Sequence, residues 1–295
     1  MRLTEFVDAK PGASCVAVGA FDGVHLGHRD VIAGADAVLT FEPHPVAVVA
    51  PSHTPRLLTP LPIKADILAS LGVQELIVMR FDAQFAAQSA QQFIDEVLIA
   101  RLGVNRVSVG ENFRFGHRAI GDVAMLAADP RFATSVVPLR ELDGEIISSS
   151  HIRSLIAAGE VLRASSLLGR PFELRGTVVS GDRRGRELGF PTANIVPEET
   201  LVCPGHGVYA CFAGERPAAV NVGVRPTFES GRGELIEAYL LDFDGDLYGS
   251  ELRLHFLERL RGEHRFESAE ALIAAMHDDV ARVRAICASA SVGRR

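Results

Sequence analysis

Lysine is almost absent. Of 30 basic residues in 295, only Lys10 and Lys64 are lysine, and the second half of the chain has none. That excludes a GxxxxGK phosphate loop and a VAIK-type strand lysine, so any nucleotide chemistry here needs another design. Cysteine is sparse as well. Cys15, Cys203, Cys211 and Cys287 form no CxxC pair, which reads as a reduced, cytoplasmic chain without a cysteine-rich zinc site. No apolar run approaches the ~18 residues of a membrane span. The opening stretch MRLTEFVDAKPG carries Glu5 and Asp8 and has no apolar signal core. Positive charge is not in surplus: residues 1–167 hold 14 basic and 18 acidic side chains, residues 168–295 hold 16 and 19. Neither nucleic acid nor a membrane surface is therefore expected as a partner.

What remains is the composition of a globular protein, 47% hydrophobic and 23% charged. At ~150 residues per domain the length suggests two domains. The first half alternates short apolar strands (Cys15–Ala20, Ala37–Phe41, Leu76–Met79, Arg106–Val109, with Ser135–Pro138 as a further one) with helical runs (Ile63–Leu71, Ala87–Leu102). This pattern predicts a parallel sheet. The proline-rich segment Ala50–Pro62 is expected to be an irregular surface loop. After the helical stretch His151–Leu168 the character changes. Leu174–Ser180, Gly207–Ala213, Ala218–Val222, Leu235–Asp242 and Glu251–Phe256 read as short strands of a small antiparallel barrel or sandwich. Leu272, Met276, Val280, Val283 and Cys287 recur at helical spacing and predict a closing helix with one face on that barrel.

Three pieces of the first half fall at the carboxyl ends of its strands, where ligands bind parallel sheets. Phe21-Asp22-Gly23-Val24-His25-Leu26-Gly27-His28 follows the first strand and opens a helix. Free N–H groups and the helix dipole make such a place an anion site. Two histidines three residues apart can face one bound group, whereas HExxH zinc spacing is missing. Gly110-Glu111-Asn112-Phe113-Arg114-Phe115-Gly116 follows a later strand, and Ser148-Ser149-Ser150-His151-Ile152-Arg153 precedes a helix. The serines suit open helix N–H groups, and Arg153 one turn in suits a phosphate. In the second half, Asp242-Phe243-Asp244-Gly245-Asp246 lacks the Gly and Glu that a calcium loop needs at its sixth and twelfth places, and reads as a hairpin turn.

These strings carry a resemblance. GAFDGVHLGH, LTFEPHP, GENFRFG and SSSHIR resemble the HxGH nucleotidyltransferase superfamily. With GRPFELRGTVVSGDRRGRELGFPTAN, NVGVRPTF and the region from IEAYLLDF to LRGEHRF, the whole chain resembles bacterial bifunctional riboflavin kinase/FAD synthetase. The resemblance implies a Rossmann-type parallel α/β FMN adenylyltransferase domain over residues 1–167. An antiparallel β-barrel riboflavin kinase domain with a C-terminal helix would follow over 168–295. It implies ATP, riboflavin and FMN as substrates, FAD as product and Mg²⁺ as cofactor. By the same resemblance His25 and His28 stabilise the ATP phosphates as charge moves to pyrophosphate. Gly19, Phe21, Asp22 and Gly23 shape that nucleotide site, and Ser149, Ser150 and Arg153 hold the phosphate tail. His44 and Asn112 lie near the flavin. Many relatives have Asp where Asn112 stands. In the second half Gly181 and Gly185 would form a flap over ATP. Thr192 and Asn194 offer hard oxygen donors for Mg²⁺. Glu237 would be the base for the riboflavin hydroxyl, and Arg261, Glu263 and Phe266 lie near the flavin.

One departure stands out. Relatives place a helix of several turns between the second motif histidine and the LTFEPHP strand, whereas Arg29–Leu39 is eleven residues here. A parallel crossover takes about a dozen. A stunted first helix of about one turn over Asp30–Ala33 is expected, with an adenylyltransferase half weakened in stability or activity. Two alternatives to the bifunctional enzyme follow: a riboflavin kinase with an impaired transferase half, and a flavin-binding regulator without catalysis.

Overall fold

A computed structural model describes residues 1–180, 189–224 and 234–292. Gly181 and Gly185 lie outside the described residues. The chain forms two compact units, Met1–Ser149 and Ser150–Arg295.

In the first unit six strands make one parallel sheet. They are β1 (Arg2–Glu5), β2 (Cys15–Val18), β3 (Ala37–Glu42), β4 (Glu75–Arg80), β5 (Arg106–Gly110) and β6 (Ala133–Val137). Their order is β1-β4-β3-β2-β5-β6. The chain winds outward from β2 through β3 and β4, then returns to β2's other flank with β5. The switch point therefore lies between β2 and β5, where parallel sheets open a crevice at the carboxyl ends. Short runs such as CVAV and AVLTF are buried on both faces, as a sheet covered on both sides requires. A core of Val16, Val18, Leu39, Ile77, Ile94, Leu98, Val107 and Val109 holds the sheet to its helices. Each such burial is worth about 1.5–3 kcal/mol. Strand β1, which hydrophobic patterning does not reveal, is a polar edge strand tied to β4 by the Arg2–Glu75 ion pair at 2.7 Å.

Helix α1 spans Leu26–Ile32. It begins before the second motif histidine and runs about two turns, longer than the expected Asp30–Ala33 turn. Eighteen residues thus separate Val18 from Ala37, enough for the crossover because the motif loop is part of it. Gly34 (φ +74°) reverses the chain. The Asp36 carboxylate takes the backbone N–H groups of Ser14 and Cys15, closing the return. The proline-rich segment differs from expectation in part. Ala50–Pro62 follows α2 (Pro45–Val49) and is irregular apart from a 3-10 turn (Pro51–His53) and the first residues of α3 (Leu61–Ser70); but Leu58 and Thr59 in it are buried, not superficial.

The remaining helices of this unit are α4 (Ala83–Ala86), α5 (Ala90–Gln92), which runs on into a π-helical stretch Phe93–Arg101, and α6 (Val123–Ala127). A two-stranded ribbon, β7 (Glu141–Leu142) and β8 (Glu145–Ile146), precedes α7 (Ser149–Ala158) and α8 (Val161–Leu168). Gly159, at φ +82°, breaks the expected single helix in two.

The second unit is a closed antiparallel barrel, ordered β10-β13-β12-β11-β14-β9. Its strands are β9 (Phe172–Val179), β10 (Ala193–Pro197), β11 (Gly207–Ala213), β12 (Arg216–Val224), β13 (Glu234–Leu240) and β14 (Glu251–Arg261). Phe172, Leu174, Ile195, Tyr209, Val220, Ile236, Leu254 and Phe256 are buried. Helix α9 (Ala269–Val292) lays Val283 and Cys287 on Val208, Ala210 and Phe212 of the outer face, as its spacing predicts. Strands β13 and β14 are not neighbours, so residues 241–250 form no hairpin; they cross one end of the barrel. Among the described residues no helix is long and apolar enough to cross a membrane.

Candidate functional site

The crevice of the first unit is built on a pinned turn. Phe21 (φ +48°), Gly23 (φ +92°) and Val24 (φ +41°) take left-handed conformations directly after β2. Two of them are not glycine, and such backbone persists only where its surroundings over-determine it. Here they do. The buried Asp22 carboxylate accepts the N–H groups of Leu58 and Thr59, both at 2.9 Å. Gly23 N–H donates to Thr59 Oγ1 at 2.7 Å, and Ser149 Oγ donates to the Asp22 carbonyl at 2.8 Å. Asp22 thus braces the turn rather than presenting its carboxylate to the crevice. Gly19 leaves room for the Phe21 ring, which a Cβ would meet at 3.1 Å.

The turn delivers the two histidines together. His25 is the N-cap of α1, its Nδ1 accepting the His28 N–H at 3.2 Å. With Nδ1 accepting, the neutral form of the ring carries its proton on Nε2. The His28 ring stacks on that of His25 with centroids 3.5 Å apart, and Phe21 meets its edge at 5.3 Å. Arg29 and Arg140, which motif reading did not single out, lie nearby. Burial and the Arg140 charge hold Arg29 below the usual arginine range, and Arg140 pairs with Asp30 at 3.0 Å. The charges around α1 thus include two guanidinium groups.

Across the switch point, Asn112 follows β5 and is exposed, while His44 after β3 caps α2 through its Nδ1. Between them runs a chain of aromatic contacts: Phe41 to Phe81 and Phe85, Phe85 to Phe93, Phe93 to Phe115, and Phe115 to Phe113. Phe81, Phe85 and Phe113 are half-buried and offer ring surface. No sequence period marks these rings, because they come from four separate segments.

In the second unit Arg153 donates to Ser150 Oγ at 3.3 Å on the first turns of α7. The barrel carries its own constellation. Asn194 of β10 stands directly opposite Glu237 of β13, and Glu237 opposite Asn221 of β12. Opposed residues of antiparallel strands share a face, so three polar side chains line up on the outside of the barrel. Asn194 is buried and its Oδ1 has no hydrogen-bond partner among the described residues. Two residues on from Glu237, Tyr239 meets Phe190 at 5.3 Å, and Phe190 meets His277 of α9 at 5.1 Å.

Thr192, just before β10, lines a pocket of 390 Å³ at one barrel end, walled by Ala238, Leu240, Phe243, Asp246 and Tyr248. The segment beyond β13 is thus a pocket wall. Among the described residues no group of three His, Cys, Asp or Glu could hold a metal; Thr192 lines this pocket together with Asp244 and Asp246. Arg261 is engaged: it forms a bidentate pair with Asp279 of α9 at 2.9–3.3 Å and stacks over Phe266 at 5.4 Å. Glu263 packs where a Cβ on Gly223 would collide with its carboxylate.

Comparison with known proteins matches each half of the chain to a family. A family model described as FAD synthetase matches residues 7–151, and one described as riboflavin kinase matches residues 168–287. The bifunctional riboflavin kinase/FMN adenylyltransferase of Listeria monocytogenes is 40% identical over 290 residues, 92% of each chain. The chain belongs to the bifunctional riboflavin kinase/FMN adenylyltransferase family. The same-named proteins of Bacillus subtilis and Escherichia coli K12 are each 38% identical, over 90% and 91% of both chains. A crystal structure from Streptococcus pneumoniae described as a macrolide-efflux protein superposes with a TM-score of 0.87. It is 29% identical and covers 96% of this chain and 99% of its own. The match to the FAD synthetase model runs through the eleven-residue stretch Arg29–Leu39.

Proposed function

We propose that this chain converts riboflavin to FMN and FMN to FAD, consuming one ATP at each step, with residues 168–295 as the kinase domain and 1–167 as the adenylyltransferase domain. What supports this reading is that each half assembles a constellation suited to its own nucleophile.

In the kinase reaction the nucleophile is the riboflavin 5′-hydroxyl, a neutral alcohol, so a base is useful. Glu237 takes the hydroxyl proton as the oxygen attacks the γ-phosphorus of ATP and ADP leaves. Glu237 lies two residues before Tyr239 on the same strand face, Tyr239 meets Phe190, and Thr192 lines a pocket of suitable size for a nucleotide. The residues fit a magnesium ion. Asn194 Oδ1, buried and without a partner among the described residues, is a hard donor, and Thr192 supplies a hydroxyl two residues earlier. These two would hold Mg²⁺, which when bound neutralises phosphate charge. Arg261 acts less as a direct flavin ligand than as the support of Phe266.

In the transferase reaction the nucleophile is an FMN phosphate oxygen, already ionised, and no base is required. The oxygen attacks the α-phosphorus of ATP, the bond to the bridging oxygen breaks and pyrophosphate leaves. The work is alignment and charge stabilisation. His25 and His28 meet the phosphates, and Ser149 braces the turn that carries them through the Asp22 carbonyl; Ser150 and Arg153, paired on α7, are suited to phosphate by type. Gly19, Phe21, Asp22 and Gly23 fix the turn. The half-buried rings of Phe81, Phe85 and Phe113, with His44 and Asn112, supply a surface for the flavin.

Chromatography of riboflavin, ATP and Mg²⁺ incubated with the purified protein tests this reading. FMN followed by FAD is the expected result. FMN alone would instead support a transferase half impaired by the short crossover, and neither product would support a non-catalytic flavin binder.

A further inference from the structure

One side chain of the first unit is held against two physical costs and has no part in the motifs. Lys64, one of two lysines in the chain, lies in the first turn of α3 and is buried. The positive end of a helix dipole disfavours a cation there, and burial disfavours it again. Its Nζ donates to the Ala20 carbonyl at 2.8 Å and to Thr40 Oγ1 at 3.2 Å. The Thr40 hydroxyl donates to the same carbonyl at 3.1 Å. Ala20 is the last residue before Phe21, where the backbone turns left-handed. The ammonium therefore ties α3, the end of β3 and the start of the histidine turn to one point. Burial pushes its pKa down from the usual lysine value, while the charges of Asp22 and Glu42 pull it back up. A leucine or methionine of similar length would fill the space without either cost.

We propose that Lys64 is a positioning residue for adenylyl transfer, its ammonium fixing the Ala20 carbonyl so that His25 and His28 meet the ATP phosphates in register. This rests on the transferase reading given above. The test uses full-length Lys64→Met and Lys64→Arg proteins, with pyrophosphate release from FMN and ATP followed at varied FMN. Lys64→Met is expected to lower kcat about tenfold or more, with KM for FMN within about twofold of the unmutated value. Its thermal unfolding midpoint stays unchanged or rises, because the buried charge is gone. Lys64→Arg, which keeps a cationic donor, recovers part of kcat, and both variants phosphorylate riboflavin normally.

Wild-type kcat in Lys64→Met would overturn the assignment. So would a loss that Lys64→Arg does not recover and that follows a lowered unfolding midpoint or failure to fold, since that is a merely structural role. If the unmutated protein releases no pyrophosphate from FMN and ATP, the transferase reading fails and Lys64 falls with it. An active unmutated protein beside an equally active Lys64→Met defeats Lys64 alone.

Discussion

At the scale of single residues, the most informative atom is Asn194 Oδ1. Among the described residues this buried amide oxygen has no donor, which costs about 1–3 kcal/mol, and it stands opposite Glu237 in the barrel. Its cost is understandable if a cation or nucleotide supplies the missing partner. Asn194→Ala is expected to reduce riboflavin phosphorylation about 10²-fold or more at limiting Mg²⁺, with part of the loss restored by raising Mg²⁺. FAD formation from supplied FMN should be untouched. Kinase activity at the wild-type level across a Mg²⁺ titration would show that Asn194 has no such task. His25 and His28 stand out in the sequence by type and spacing, whereas Thr192, Asn194 and Glu237 stand out through the family resemblance. Their partners do not. Lys64, Asn221, Asp279 and the half-buried phenylalanines act through contacts between segments far apart in the chain, which no local pattern records.

At the scale of elements, the sequence pattern reveals strands and helices where apolar residues cluster and conceals those that are polar or short. Strand β1 (RLTE) sits at a sheet edge and has no apolar face to betray it. Strand β10 was hidden inside the PTAN motif, because Ala193–Pro197 is too short to show alternation. The 241–250 segment has turn composition, but whether a turn joins neighbouring strands depends on barrel order. A test of element-level bracing is available in the turn between α6 and β6. Arg131 binds Asp129 and Asp95, both at 2.6 Å, tying that turn to the π-helical stretch. Hydrogen bonds from the Arg131 side chain hold the Asp129 carboxyl at about 2 instead of 3.8. A depressed carboxylate contributes stability that is present above the unfolded value and lost as pH falls through the folded one. Comparing unfolding midpoints of wild type and Asp129→Asn should therefore show a modest wild-type advantage at pH 6. That advantage should shrink from about pH 4 downward and vanish near pH 2, and fade with salt because the pair is solvent-accessible. An advantage independent of pH would mean that the pair does not act through its charge.

For the whole molecule, the order of a parallel α/β unit and an antiparallel barrel was legible because periodicity changes character near Leu168. The shortened crossover illustrates the limit of counting. Eleven residues between motif and strand suggested a stunted helix, yet α1 starts inside the motif and the turn residues complete the connection. The central claim is that one polypeptide carries two independent chemistries, one with a base and one without. Its most direct test is a crossed pair of variants, Glu237→Gln and His28→Ala, each assayed for FMN from riboflavin and for FAD from supplied FMN. Glu237→Gln is expected to lose about 10²–10⁴-fold in FMN formation with FAD formation intact, and His28→Ala to show the reverse. Either variant losing both activities while remaining folded would contradict that claim.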